Sequence, residues 1–110
     1  MGSDPKDLLH GTLDMLVLRA LAGESMHGFA LSKWIDQHTN GDLGIVDSAL
    51  YKALNRLEDA GAIQAEWGQS ENNRRAKYYS LTAKGRKQLR AEVASWKQFV
   101  ATVNGLLEHG

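Results

Sequence analysis

The sequence predicts an α+β fold that is mainly α, and three observations carry the prediction. Apolar residues recur at helical spacing in four segments spread along the 110 residues. Between the third and fourth lie two short strand-like runs, Ala62–Trp67 and Lys77–Leu81, separated by a Gly/Ser/Asn-rich turn over residues 68–75. The last helical segment keeps a heptad pattern over nearly three heptads.

The first helix is expected over residues 8–22. Leu9, Leu13, Leu16, Val17, Ala20 and Leu21 form one broad stripe, while Leu8, Met15 and Leu18 add apolar surface beside and behind it. A helix apolar on more than one side needs a second covering partner, and Gly23 stops it. The second helix is expected over residues 27–38, with Ser25 as its cap and Leu31 and Ile35 inward. Gly28 near its start implies a close backbone approach, to a neighbouring helix or to a phosphate, with helix packing the preferred reading. Thr39-Asn40-Gly41-Asp42 is a turn, and Leu43-Gly44-Ile45 is a candidate very short strand.

The third helix follows, capped by Asp47 or Ser48 and stopped by Gly61. Leu50, Leu54 and Leu57 bury one face. The other carries Ser48, Tyr51, Lys52, Asn55 and Arg56, all able to hydrogen-bond to phosphates or base edges. Thr82 then caps a long helix from about Ala83 to Leu107. In it Leu89, Val93, Trp96, Val100, Val103 and Leu107 are spaced 4, 3, 4, 3 and 4. Phe99 and Leu106 widen that stripe. The compact part of the chain offers no surface long enough to cover it, so dimerisation against the first helix of a second copy is expected.

A polar-faced helix followed by a hairpin with a basic tip is the order of a winged helix-turn-helix. Residues 1–81 would form that domain, behind a short polar amino-terminal arm, and residues 82–110 the dimerisation helix. The third helix would enter the major groove and the hairpin would touch the adjacent backbone.

Charge supports a duplex partner only once it is located. The formal net charge is zero, but residues 1–67 carry five basic against ten acidic side chains. Residues 68–90 hold Arg74, Arg75, Lys77, Lys84, Arg86, Lys87 and Arg90 against Glu71 alone. The local field, not the total, governs phosphate binding. The absence of cysteine removes disulfides and thiolate metal sites, and fits a cytoplasmic setting. The start, Met-Gly-Ser-Asp-Pro-Lys-Asp, is too polar for a signal peptide, and no apolar run reaches membrane-spanning length.

Catalytic and metal-binding patterns are missing. His10, His27, His38 and His109 show no metal-ligand spacing, and His27 reads as a cap or packing residue. There is no phosphate-cradling Gly-rich loop and no Gly-x-Ser-x-Gly elbow. Glu58 and Asp59, at a helix end, are expected to face water. No cofactor, metal or enzymatic activity is expected.

The chain resembles the PadR family of bacterial transcriptional regulators. The resemblance rests on Leu9-His10-Gly11-Thr12-Leu13-Asp14, Met26-His27-Gly28-Phe29, Leu50-Tyr51, Leu54 and Arg56-Leu57-Glu58. It continues through Gly61, Glu66-Trp67, Arg74-Arg75-Ala76-Lys77-Tyr78-Tyr79 and Leu81-Thr82-Ala83-Lys84-Gly85, covering roughly residues 8–100. The run Trp67–Arg75 is further similar to the acidobacterial-type subgroup, often encoded beside transporter-permease genes. The resemblance implies a winged-helix dimer that represses by occupying a promoter and releases on a signal. A single carboxy-terminal helix matches the family's short class. Many relatives have Pro where this chain has Lys52, which adds a positive charge to the third helix.

The expected DNA-contacting residues are therefore Ser48, Ala49, Tyr51, Lys52, Asn55 and Arg56 on the helix, with Arg74, Arg75, Lys77 and Tyr78 on the hairpin. Lys52 can donate to guanine, Asn55 can pair with adenine and Ala49 can touch a thymine methyl. Tyr51, Arg56 and the hairpin cations are assigned to phosphates. A second reading makes the protein a ligand-binding dimer, with Met15, Trp96 and Phe99 lining a pocket for a hydrophobic small-molecule effector. Plain interface packing is the more ordinary role for those three.

Overall fold

The computed structural model describes residues 5–109, with side chains from Gly11 onward. Four helices and three strands follow in the order α1 (Pro5–Gly23), β1 (Met26–His27), α2 (Gly28–His38), α3 (Asp47–Asp59), β2 (Ile63–Gln69), β3 (Arg75–Leu81) and α4 (Ala83–Leu107). The sheet is antiparallel in the order β1-β3-β2. This is a mainly helical winged helix-turn-helix.

Helical periodicity places the core. Leu13, Val17, Leu18, Ala20 and Leu21 of α1 meet Leu31 and Ile35 of α2, then Leu50, Ala53, Leu54 and Leu57 of α3. Ile63, Tyr79 and Leu81 close the cluster from the sheet. Each fully buried leucine contributes about 1.5–3 kcal/mol of transfer free energy. Leu18, expected beside the main α1 stripe, is fully buried. The side chains of Leu8 and Leu9 lie outside the described residues, as do residues 1–4 of the expected polar arm. Residues 5–7 already belong to α1.

Local chemistry sets the ends of the elements. Gly61 follows α3 with φ 78°, its N–H donating to Glu58 O at 3.0 Å, and Ala62 N–H donates to Leu57 O at 2.9 Å. Thr82 caps α4 by accepting from Gly85 N–H at 3.0 Å. Gly28 sits where a Cβ would overlap the Tyr51 ring, so the close approach it allows is between α2 and α3.

Four local expectations need correction. The first strand is Met26–His27, paired with Tyr79 and Tyr78, and not residues 43–45. Two residues are too few to show a period, and the chain turns at Gly44 with φ 55°. The α2 cap is His27, whose Nδ1 accepts from Ala30 N–H at 3.1 Å, in place of Ser25. The α3 cap position is Val46, which makes no side-chain bond; Asp47 instead accepts from Ser32 Oγ at 3.2 Å and ties α3 to α2. Finally, the hairpin ladder runs further than its polar residues suggest. Gln69 pairs with Arg75, so the tip is only residues 70–74, closed by Ser70 N–H to Arg74 O at 2.8 Å.

Candidate nucleic-acid interface

Burial of Leu50, Ala53, Leu54 and Leu57 fixes the rotation of α3 and turns the opposite face outward. Ser48, Tyr51, Lys52, Asn55 and Arg56 are all exposed there. Ala49 is half-buried and packs at the core margin, so it offers less surface than its neighbours. Ser48, Lys52 and Asn55 share the helical spacing of one stripe. That stripe is short and polar, and exposed Asp59 ends it at the last residue of the helix.

Arg56 is already engaged. Its Nη2 donates to Asp14 Oδ1 of α1 at 2.7 Å, an ion pair between partly exposed groups. The pair bridges 42 residues of sequence and fixes the outer face of α3 to α1. As a surface pair it contributes no more than about 1 kcal/mol, and a phosphate can compete for the guanidinium.

The hairpin residues divide between its two faces. Register pairs Ala65 with Tyr79, Trp67 with Lys77 and Gln69 with Arg75, so these six share the core-side face, the one turned toward α3. Lys77 Nζ donates to Glu58 Oε1 of α3 at 3.0 Å, clamping the wing to the helix. That bond is the first cause holding the Lys77 ammonium above its usual 10.5. Burial likewise pushes the Tyr79 phenol above its usual 10.0. Glu58, expected to face water, is thus half-buried in this pair. Arg75 stands over the Trp67 ring with its guanidinium carbon 4.7 Å from the centroid. Arg74, at the tip, is exposed.

Tyr78 belongs to the other face. Its ring packs edge-on to His27 at 5.3 Å, and its hydroxyl donates to Gln69 O at 2.9 Å. It braces the hairpin from behind instead of joining the cations. The basic stretch is also partly absorbed by the fold: Lys84 Nζ donates to Ala60 O at 2.6 Å, at the carboxy-terminal end of α3, where a cation is favoured.

Sequence reasoning passed over three residues that organise this surface. Asp14 and Glu58 hold Arg56 and Lys77, and Trp67 carries Arg75. The first two need the tertiary fold to be found. Trp67 had a signal, because a large apolar side chain near a hairpin tip has little core to enter.

Met15, Trp96 and Phe99, the three effector candidates, come together in one groove between α1 and α4 of about 440 Å³. Gly11, Thr12, Ala91, Glu92 and Ser95 complete its lining. The second apolar side of α1 is thus met in part by α4 of the same chain, where a second copy alone was expected. Among the described residues no cluster of three or more His, Cys, Asp or Glu can hold a metal ion. No described helix is long and apolar enough to cross a membrane.

A family model for the PadR-like transcriptional regulators matches residues 17–91, more than half of the chain. The chain belongs to the PadR-like family of transcriptional regulators. Solved structures agree. A transcriptional regulator from Clostridium thermocellum is 27% identical, with TM-score 0.85, covering 93% of this chain and 99% of its own. A PadR-like regulator from Bacillus cereus is 29% identical, with TM-score 0.81 over 94% and 99% of the two chains. A PadR family regulator from Eggerthella lenta is 36% identical, with TM-score 0.76 over 94% and 88%.

Proposed function

We propose that this PadR-like protein is a cytoplasmic dimeric repressor that occupies an inverted-repeat operator and is released by a small-molecule effector. The observation that carries the DNA reading is the single polar stripe on α3, set opposite four fully inward residues and flanked by the wing cations. In a helix-turn-helix the amino-terminal turns of this helix lie deepest in the major groove. Those turns carry Ser48, Ala49, Lys52 and Asn55, which read base edges, with Tyr51 at the groove edge. Arg74 and Arg75 meet phosphates. Arg56 and Lys77 sit at the same boundary, exchanging Asp14 and Glu58 for phosphate oxygens or sharing them. Tyr78 supports the wing from its far face.

Dimerisation is supported by α4. Only Gly85 of its 25 residues is buried; in the heptad stripe Val93, Val100 and Val103 are no more than half-buried, and Trp96 and Leu107 are exposed. Two copies joined by this stripe present two α3 helices to half-sites about one helical turn apart. The effector reading is supported by the α1–α4 groove, whose aromatic lining suits a hydrophobic ligand.

Titrating the purified protein onto a random duplex at several salt concentrations tests the DNA reading. Binding should fall steeply with salt, and replacing Arg74 and Arg75 together by Ala should reduce the log–log slope by up to about two. Binding that ignores salt, or no binding to any duplex, would overturn the reading in favour of a ligand-only dimer.

A further inference from the structure

The wing places a tryptophan where burial cannot explain it. Trp67 is 60% exposed, two residues short of the end of β2 and beyond the buried part of the sheet. On its face of the hairpin the core ends at Tyr79, which is 4% exposed. From there outward the side chains run Lys77, Trp67 and Arg75. Lys77 turns back to Glu58, leaving Arg75 as the outermost cation of that face. Arg75 does not trail into solvent: its guanidinium lies over the Trp67 ring at 4.7 Å, within range of attraction to the ring's negative face.

A guanidinium has five donors in a fixed plane and a stem with many rotamers. Laid on a ring, it keeps its donor edges free while losing most of the stem's freedom before any partner arrives. The entropic cost of ordering the arginine is then met in the free protein and not on binding. Because Lys77 on the same face contacts α3, the held guanidinium is also on the α3 side of the wing.

We propose that Trp67 is a positioning residue for DNA binding, the shelf that holds Arg75 ready for one backbone phosphate. The proposal rests on the DNA reading above, and on Arg75 as one of its phosphate contacts. Arg74, at the tip, has no such shelf among the interactions of the described residues, so the two adjacent arginines are not equivalent. The tip arginine meets DNA with its rotamers unrestrained; Arg75 meets it already placed.

A double-mutant cycle on a random duplex of about two helical turns tests this, using the full chain and the variants Trp67→Leu, Trp67→Phe, Arg75→Ala and Trp67→Leu/Arg75→Ala. Leucine keeps apolar bulk without a ring face, and phenylalanine keeps a ring face. Trp67→Leu should weaken binding about two- to fivefold with an unchanged melting temperature. Trp67→Phe should stay close to the parent. Arg75→Ala should lower the salt slope by about 0.9, and in its background Trp67→Leu should have no further effect. Equal losses from Trp67→Leu with and without Arg75 would overturn the proposal, as would a loss in Trp67→Phe as large as in Trp67→Leu. If Arg75→Ala leaves affinity and slope unchanged while the protein still binds DNA, the contact and its shelf fall together. Should the parent protein bind no duplex, the DNA reading itself fails, an outcome distinct from the others.

Discussion

Helices α3 and α4 are both amphipathic, yet one is finished within the chain and the other is not. In α3, Leu50, Ala53, Leu54 and Leu57 are all at or below 2% exposure, and Ser48, Lys52 and Asn55 on the opposite side are exposed and polar. In α4, nearly twice as long, Phe99 is 51% exposed and Leu106 and Leu107 are each 74% exposed. The same periodic signal thus has two outcomes. Apolar spacing states that a face must be covered; position in the chain decides whether its own fold can reach it. α3 lies between α1, α2 and the sheet, whereas α4 meets chiefly α1 and β3, along its first two thirds, and its last turns stay exposed. The covered helix can spend its other face on a duplex, and the uncovered one can bring a second copy.

The largest expected effect breaks α4. Replacing Val100 by Glu puts a charge into the seam and should shift the protein to monomeric or unfolded species, read by sedimentation. An unchanged dimer mass would show that the seam lies elsewhere. The matching change in α3, Leu54→Ala, should cost about 2–5 kcal/mol in urea unfolding. If the contrast holds, the cavity lowers the stability of the folded domain itself, while loss from the α4 change follows protein concentration. A strong concentration dependence in the fall caused by Leu54→Ala alone would mean that α3 too is completed by a partner.

Sharpening the outward face of α3 comes next. Lys52→Ala and Asn55→Ala should each cost about 1–3 kcal/mol on the matched site and much less on random DNA. Equal losses on both would reduce these residues to backbone contacts. The smallest effect concerns the clamp between α3 and the wing. Lys77 is held above 10.5 by Glu58, and Tyr79 above 10.0 by burial. In both, the folded protein keeps its proton more tightly than the unfolded chain does. Their contributions are whole below the unfolded values and are lost as pH rises through the folded ones. Stability in urea should therefore decline above about pH 10, less steeply in Glu58→Ala. An equal decline in that variant would remove the clamp from the account.

What the sequence disclosed follows from how far each signal reaches. The caps and stops that depend on near neighbours, Thr82 and Gly61, lie where their residue types require. The inward leucines of α3 are legible for the same reason. The two-residue strand Met26–His27 was hidden, because its partner Tyr78 and Tyr79 lie some fifty positions away and it has no period of its own. The engagement of cations was hidden too. Arg56 and Asp14 are 42 positions apart, and Lys77 and Glu58 are 19 apart, so a count of charges gave Arg56 and Lys77 as free when each has a carboxylate. Wing polarity misled in another way. Gln69 and Arg75 suggest a loop, yet their backbones complete the ladder and their side chains merely extend beyond the core.

Whether two copies of α3 read one operator is decided by selecting bound duplexes from a random pool with the purified full chain. The selected duplexes should carry an inverted repeat, its half-sites about one helical turn apart, each with guanine or adenine where Lys52 and Asn55 reach. Enrichment of no sequence, or of a single site without symmetry, would contradict a dimer that reads its operator through two copies of α3.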